Sequence, residues 1–204
     1  PEALLKSNQK PRLVLLPVWN EGLIIEQKLN NLADQDGPPF EVLLIDSAST
    51  DDTMGRVKQW LATHPDAFTR LDFIEMKVRK GKSTAVQQAL ESLEARGYDG
   101  LICMTDAGAH LPKHGLDRLA GWFADPTIGA VGASARRSGG LAQEQTHRSM
   151  FELLREGESA HDSTPFLEGS FMMWRSSGFK SNQLNINANA DDAQIATGVR
   201  LNGL

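Results

Sequence analysis

Carboxylates stand in this chain where apolar runs stop or where a helix begins. Asp106 follows Leu101-Ile102-Cys103-Met104-Thr105, and Asp46 ends Val42-Leu43-Leu44-Ile45 and leads into Ser47. A further apolar run, Leu13-Val14-Leu15-Leu16, empties into Pro17-Val18-Trp19-Asn20-Glu21. Asp191 and Asp192 follow a polar stretch and open a predicted helix. A short continuous apolar run reads as a strand buried on both faces. In an open α/β sheet, ligands bind just beyond the carboxyl ends of such strands. Asp106 therefore stands where a charged group meets a ligand. Three apolar strands emptying into polar residues predict one shared site along one sheet edge.

The elements that must position these residues alternate. Strand 12–17 leads into a helix from about Asn20, with Ile25, Leu29 and Leu32 at helical spacing. Strand 41–46 leads into a helix over 51–62 with Met54, Val57 and Leu61 on one face. Segment 71–78 alternates Leu71, Phe73 and Met76 with polar residues, the pattern of a less buried strand. A helix from about Lys82 carries Val86, Leu90 and Leu93, and Gly97 and Gly100 punctuate its end. Strand 101–105, a helix over 114–124 with Leu116, Leu119 and Phe123, and strand 128–131 follow. This order predicts an α/β fold with a mostly parallel sheet and right-handed crossovers. Residues 141–160 are helix-compatible, 168–174 read as a strand, and 175–190 as loop.

Composition narrows the class. A chain of 204 residues fits a single domain over 1–204 with a sizeable core. The net charge of -5 argues against nucleic acid as the main partner, although Lys77, Arg79, Lys80 and Lys82 form a local basic stretch. The single cysteine, Cys103, excludes an internal disulfide and sits in an apolar strand as a buried thiol. His147 and His161 lack metal-ligand spacing and read as surface histidines. No run approaches the ~18 apolar residues of a membrane span, and no signal peptide is visible. A first residue that is Pro, and an end without a terminating element, predict a fragment truncated at both ends.

Two nucleotide motifs fail on inspection. Gly81-Lys82-Ser83-Thr84 has the tail of a P-loop, but Met76 stands where that motif needs its first glycine. Asn20-Glu21-Gly22 does not supply a dinucleotide-binding fingerprint after the first strand. A nucleotidyltransferase would want a glycine-rich loop with Arg and Lys there, which 17–22 lacks.

A different set of motifs occurs in order: Pro17-Val18-Trp19-Asn20-Glu21, Asp46-Ser47-Ala48-Ser49-Thr50-Asp51-Asp52-Thr53, Arg79-Lys80-Gly81-Lys82, Thr105-Asp106-Ala107-Gly108 and Asp191-Asp192. In order and spacing the chain resembles the family 2 glycosyltransferases of the GT-A fold. It looks most like the membrane-bound branch related to cellulose, hyaluronan and poly-N-acetylglucosamine synthases. The resemblance implies a Rossmann-like sheet with helices on both faces. It implies that Pro17, Trp19, Asn20 and Glu21, with Asp46 and Ser47, hold the base and ribose of a nucleoside diphosphate sugar, expected to be a UDP-sugar. Ser47 stands where the family usually carries a second acid that reads uracil, and a hydroxyl bonds more weakly than a carboxylate. Asp51 equally suits a helix N-terminus, as do Asn20 and Glu21.

The resemblance further implies that Lys82, with Arg79 and Lys80, lies against the donor's negative charge; the alternative is a solvated basic turn. Asp106 is the implied ligand of Mg²⁺ or Mn²⁺, which holds the diphosphate. Gly108 replaces the second acid of the family's Asp-x-Asp element, which implies weaker metal binding. Gly169 would permit close approach near the donor sugar. Asp191 and Asp192 match the acidic pair behind the acceptor, with Asp192 as the base that takes the acceptor hydroxyl's proton. The implied activity is inverting sugar transfer to a hydroxyl acceptor in polysaccharide or glycolipid synthesis. Ser47 and Gly108 leave open a weak or inactive domain that binds a nucleotide or a partner. The membrane-bound relatives carry flanking transmembrane helices and a later Gln-x-x-Arg-Trp element, neither present here. The expectation is a cytoplasmic domain at the inner (plasma) membrane, attached through segments outside this chain.

Overall fold

Four apolar runs are long enough to be buried on both faces, and they become the centre of the sheet. In the computed structural model, which describes residues 10–133, 167–188 and 190–204, these are β1 (Arg12–Val18), β2 (Glu41–Asp46), β4 (Leu101–Thr105) and β6 (Phe171–Arg175). The edges are β3 (Arg70–Glu75) and the short β5 (Ala130–Gly132), giving the order β3-β2-β1-β4-β6-β5. The first four strands of that order are parallel; β6 runs antiparallel to both β4 and β5. The sheet is thus mostly parallel, as the alternating pattern predicts.

Side-chain alternation along the strands divides the core into two layers. Val14, Leu16 and Val18 of β1 face α1 (Ile25–Ala33), α2 (Thr53–Thr63) and α4 (Gly115–Trp122). Leu13 and Leu15 face α3 (Lys82–Ala95) and α5 (Asp191–Leu201) on the other side. The apolar stripes read from spacing are the ones that pack: Ile25, Leu29, Leu32, Val57, Val86, Leu90, Leu93, Leu116 and Phe123 are all buried. Arg175 closes the end of α4 by donating to the carbonyls of Phe123, Asp125 and Ile128.

Several sequence expectations are corrected. The first helix begins at Ile25, not near Asn20, because Asn20 takes a left-handed conformation at φ 53 and breaks the run. On β3, Leu71 packs against one layer as expected and Ile74 against the other, while Phe73 is 43% exposed with the Lys58 ammonium over its ring. The strand predicted over 168–174 starts only at Phe171, after a turn. The loop over 175–190 contains a 3₁₀ turn, Ser181–Gln183, pinned by Glu94, which accepts from the Ser181 N–H and hydroxyl. The predicted helix over 141–160, with His147 and His161, lies outside the described residues.

One packing detail gives a test whose sign is not the usual one. Gly198 sits inside α5, where alanine is intrinsically favoured by about 1 kcal/mol. A Cβ there would lie 2.5 Å from the buried Phe179 ring. Overpacking of this kind typically costs about 1–3 kcal/mol. Gly198→Ala is therefore expected to lower stability in denaturant titration, and Phe179→Leu should recover part of that loss in the double variant. A stabilised Gly198→Ala protein would show that the ring moves freely.

Candidate active site

The strand order places the site. β1 lies between β2 and β4, so the chain leaves β1 towards one side and β4 towards the other, a switch point where a crevice opens. The ladder from β1 to β4 ends at Leu15, while that from β1 to β2 runs on to Val18. Pro17, which has no N–H, falls past the last β4 partner.

Two turns leave this edge and are laced together. The Asn20 N–H donates to Ser49 Oγ (2.8 Å), the Glu21 N–H to Thr53 Oγ1 (2.8 Å) and the Gly22 N–H to Asp51 Oδ2 (3.0 Å). In return, Asn20 Oδ1 accepts the Thr50 N–H at 2.8 Å. A Cβ on Gly22 would lie 2.8 Å from Asp51 Oδ2 and would displace the carboxylate that holds its N–H. Asp46 is buried at the end of β2, and its carboxylate accepts from the N–H and hydroxyl of Ser49. Asn20, Asp46 and Asp51 thus shape the turns with their own side chains. Asp51 holds the entry to α2 by accepting from Thr53, which draws its pKa down. Ser47 is buried as well, and its hydroxyl finds no partner among the described residues. Trp19 remains 39% exposed, with the Arg79 guanidinium 3.3 Å from the centre of its ring, a cation–π stack.

The other half of the site gathers at the end of β4. Because β6 is antiparallel, its first residue Phe171 pairs with Thr105, so 168–170 lie beside Asp106. The Lys82 ammonium, at the start of α3, lies 2.7 Å from Asp106 Oδ1 and 3.8 Å from Asp191 Oδ2. Asp192 Oδ2 accepts the Gly169 N–H at 3.1 Å. A Cβ on Gly169 would sit 3.1 Å from Asp192, so the close approach expected of this glycine is to Asp192.

The electrostatics follow from burial and neighbours. Burial works to lower the Lys82 pKa, but Asp191, Asp106 and Asp192 together outweigh it and raise the value. Burial raises the Asp191 pKa in spite of Lys82, and its buried Oδ2 has no hydrogen-bond partner among the described residues. Glu21 is raised by burial and then by the charges of Asp106 and Asp51. Cys103 is the buried thiol expected, pushed up to about 12. Asp46, Asp106 and the Asp191–Asp192 pair thus share one edge of the sheet, with Glu21 facing Asp106. A Cβ on Gly108, next to this group, would make an ordinary contact with the Ile24 side chain at 3.9 Å.

Sequence reasoning missed Lys28. It is buried on α1, donates to Thr105 Oγ1 (2.8 Å) and to the Ala109 carbonyl (2.6 Å), and is pulled down to about 8 by burial. The signal was present: Lys28 interrupts the apolar stripe of Ile25, Leu29 and Leu32.

Comparison with known proteins gives the family and the fold. The family model described as glycosyl transferase family 2 matches residues 13–182. A poly-beta-1,6-N-acetyl-D-glucosamine synthase of Staphylococcus epidermidis is 22% identical over 172 residues, 81% of this chain and 40% of that protein. The chain therefore spans less than half of that relative's length. Among solved structures, the mannosyltransferase PcManGT from Pyrobaculum calidifontis, in complex with GDP-Man and Mn²⁺, has a TM-score of 0.82 and 31% identity, covering 99% of this chain and 58% of that one. TarS of S. aureus in complex with UDP-GlcNAc has a TM-score of 0.65 and 21% identity, covering 94% and 54%, a likeness of fold. With its sheet, its strand-end acids and a family match over most of its length, the chain belongs to glycosyl transferase family 2.

Proposed function

We propose that this chain is the catalytic domain of an inverting glycosyltransferase that moves a sugar from a nucleoside diphosphate sugar to a hydroxyl acceptor. The observation that carries the reading is the Lys82 ammonium between Asp106 and Asp191. It ties the strand end that would face a diphosphate to the helix end that would face an acceptor. In this reading the turns at 17–22 and 46–53 cradle the nucleoside, with the Trp19 face as its stacking surface and Pro17, Glu21 and Ser47 around it. Lys82 offsets the charge of the diphosphate as it leaves.

Asp192 is the proposed base. Its carboxylate would take the acceptor hydroxyl's proton while that oxygen attacks the anomeric carbon and the bond to the diphosphate breaks. Its partner Asp191 is the more buried of the two and faces Lys82, which suits it to holding that ammonium. The complexes of PcManGT with GDP-Man and of TarS with UDP-GlcNAc support a nucleotide-sugar donor.

The residues fit a divalent ion in a restricted way. Asp106 already pairs with a cation, and Gly108 adds no second ligand. Among the described residues no three His, Cys, Asp or Glu side chains gather as a metal site. This donor set suits Mg²⁺ or Mn²⁺ carried in by the diphosphate, with Asp106 as the protein ligand. Bound there, such an ion would help neutralise the leaving diphosphate. The Mn²⁺ in the PcManGT complex supports its use. No helix among the described residues is long and apolar enough to cross a membrane. The likeness to a polysaccharide synthase supports membrane attachment through other segments of a longer protein, with this domain on the cytoplasmic face.

Two tests follow from this assignment. Asp192→Asn should abolish transfer in the full-length protein, by about 10²–10⁴-fold, while donor binding by titration calorimetry stays near wild type. An asparagine oxygen still accepts the Gly169 N–H, and only the acceptor of the adjacent Ala193 N–H is lost; full activity would leave the base elsewhere. For the metal, Mn²⁺ alone should bind weakly and Mn²⁺ with UDP or GDP more tightly. Gly108→Asp should strengthen binding of Mn²⁺ alone, since the nearest atom to the added Cβ, on Ile24, is 3.9 Å away. Nucleotide binding indifferent to chelator would remove the ion from the reading.

A further inference from the structure

Lys28 is a charged side chain that the reading above does not use, yet it is only 2% exposed. Burying an ammonium costs several kcal/mol unless it is well bonded. Its two partners decide what it does. Thr105 Oγ1 precedes Asp106 and the Ala109 carbonyl follows Gly108, so one ammonium spans the Asp106–Gly108 turn from beneath. The contact continues. Thr105 Oγ1 donates to the Ser170 carbonyl at 2.8 Å, and the neighbouring Gly169 N–H donates to Asp192. One turn further along α1, Asn31 holds the same segment from both sides. Its Nδ2 donates to the Leu111 carbonyl and its Oδ1 accepts the Leu111 N–H, each at 2.8 Å.

We propose that Lys28 is a positioning residue: from α1 it fixes the Asp106–Gly108 turn and, through Thr105 and Ser170, the turn that holds Asp192. It thereby sets the distance between the group facing the diphosphate and the proposed base, without touching substrate. This rests on the functional reading above. A lysine suits the post because its flexible stem passes through the apolar layer while its head reaches two acceptors. A loop anchored by charge-assisted bonds on one side presents Asp106 in one geometry before a ligand arrives, which lowers the ordering cost of binding.

The test uses Lys28→Met, which keeps length and loses the head, and Lys28→Gln, which keeps a donor without the charge. Mn²⁺ with UDP and Mn²⁺ with GDP are titrated calorimetrically into wild type and both variants, well below each thermal midpoint. Backbone amide exchange is followed over 105–111 and 168–170. Lys28→Met is expected to lose about tenfold or more in nucleotide affinity and to exchange faster in those two segments. Protection in β1, β2 and α3 should stay near wild type, and Lys28→Gln should recover part of both losses. A Lys28→Met protein with a lower thermal midpoint but wild-type nucleotide affinity and loop exchange would overturn the proposal, leaving Lys28 merely structural. If Lys28→Met does not fold, Lys28→Gln decides by the same criterion: unchanged affinity and loop exchange overturn it. Absence of nucleotide binding by the wild type would overturn the functional reading itself, and this proposal with it.

Discussion

A sheet covered by helices on both faces has no room for charge in its middle. Leu13 to Leu16, Leu44, Ile45 and Leu101 to Met104 are nearly all excluded from solvent, and an unpaired polar group among them would cost about 2–7 kcal/mol depending on its surroundings. Polar chemistry is therefore confined to where strands end. Parallel strands end on one side, so the acids that terminate β2 and β4 share a rim with the turn leaving β1. The site is a consequence of that burial. Apolar faces hold the strands in register, and register puts Asp46 opposite Val18, on the same rim where Asp106 follows the end of β4.

Groups at this rim must still satisfy their own backbone. The chain does this with short polar side chains. Ser49, Thr53, Asp51 and Asn20 bond the N–H groups of the opposing turn, so two loops 29 to 32 residues apart become one surface. Residues that look like ligand contacts are in part the frame that shapes the contact. Asp46 shows this most directly, because its carboxylate is already engaged by Ser49. Trp19 and the Ser47 hydroxyl stand outside this frame.

The second half is governed by charge balance. Burial, and then the charges of Asp192 and Asp106, raise the cost of ionising Asp191, and Lys82 offsets it from the start of α3; burial, and then Asp106 and Asp51, do the same to Glu21. Two cations, Lys82 and the Arg79 guanidinium on Trp19, stand at this rim with the acids. With Gly108 in place of a second carboxylate, the rim carries less negative charge than an Asp-x-Asp element would give it. In the proposed reading, such a site would depend more on its cations to receive an anionic donor.

The sequence by itself determined the elements and the edge on which chemistry would occur. Short continuous apolar runs bounded by polar residues read as strands buried on both faces, and the residues that end them are fixed by chain order. Helical stripes such as Ile25-Leu29-Leu32 were legible for the same reason. Tertiary structure alone decided how those pieces meet. Chain order does not say that β6 enters antiparallel beside β4, and only that places Gly169 against Asp192 and both beside Asp106. Local propensity favoured a helix from Asn20, but bonds from residues about thirty positions away hold Asn20 left-handed and delay the helix to Ile25. A lysine in an apolar stripe is a visible anomaly. That it reaches Thr105 and Ala109 depends on how α1 packs across the sheet, a long-range geometry that no local pattern encodes.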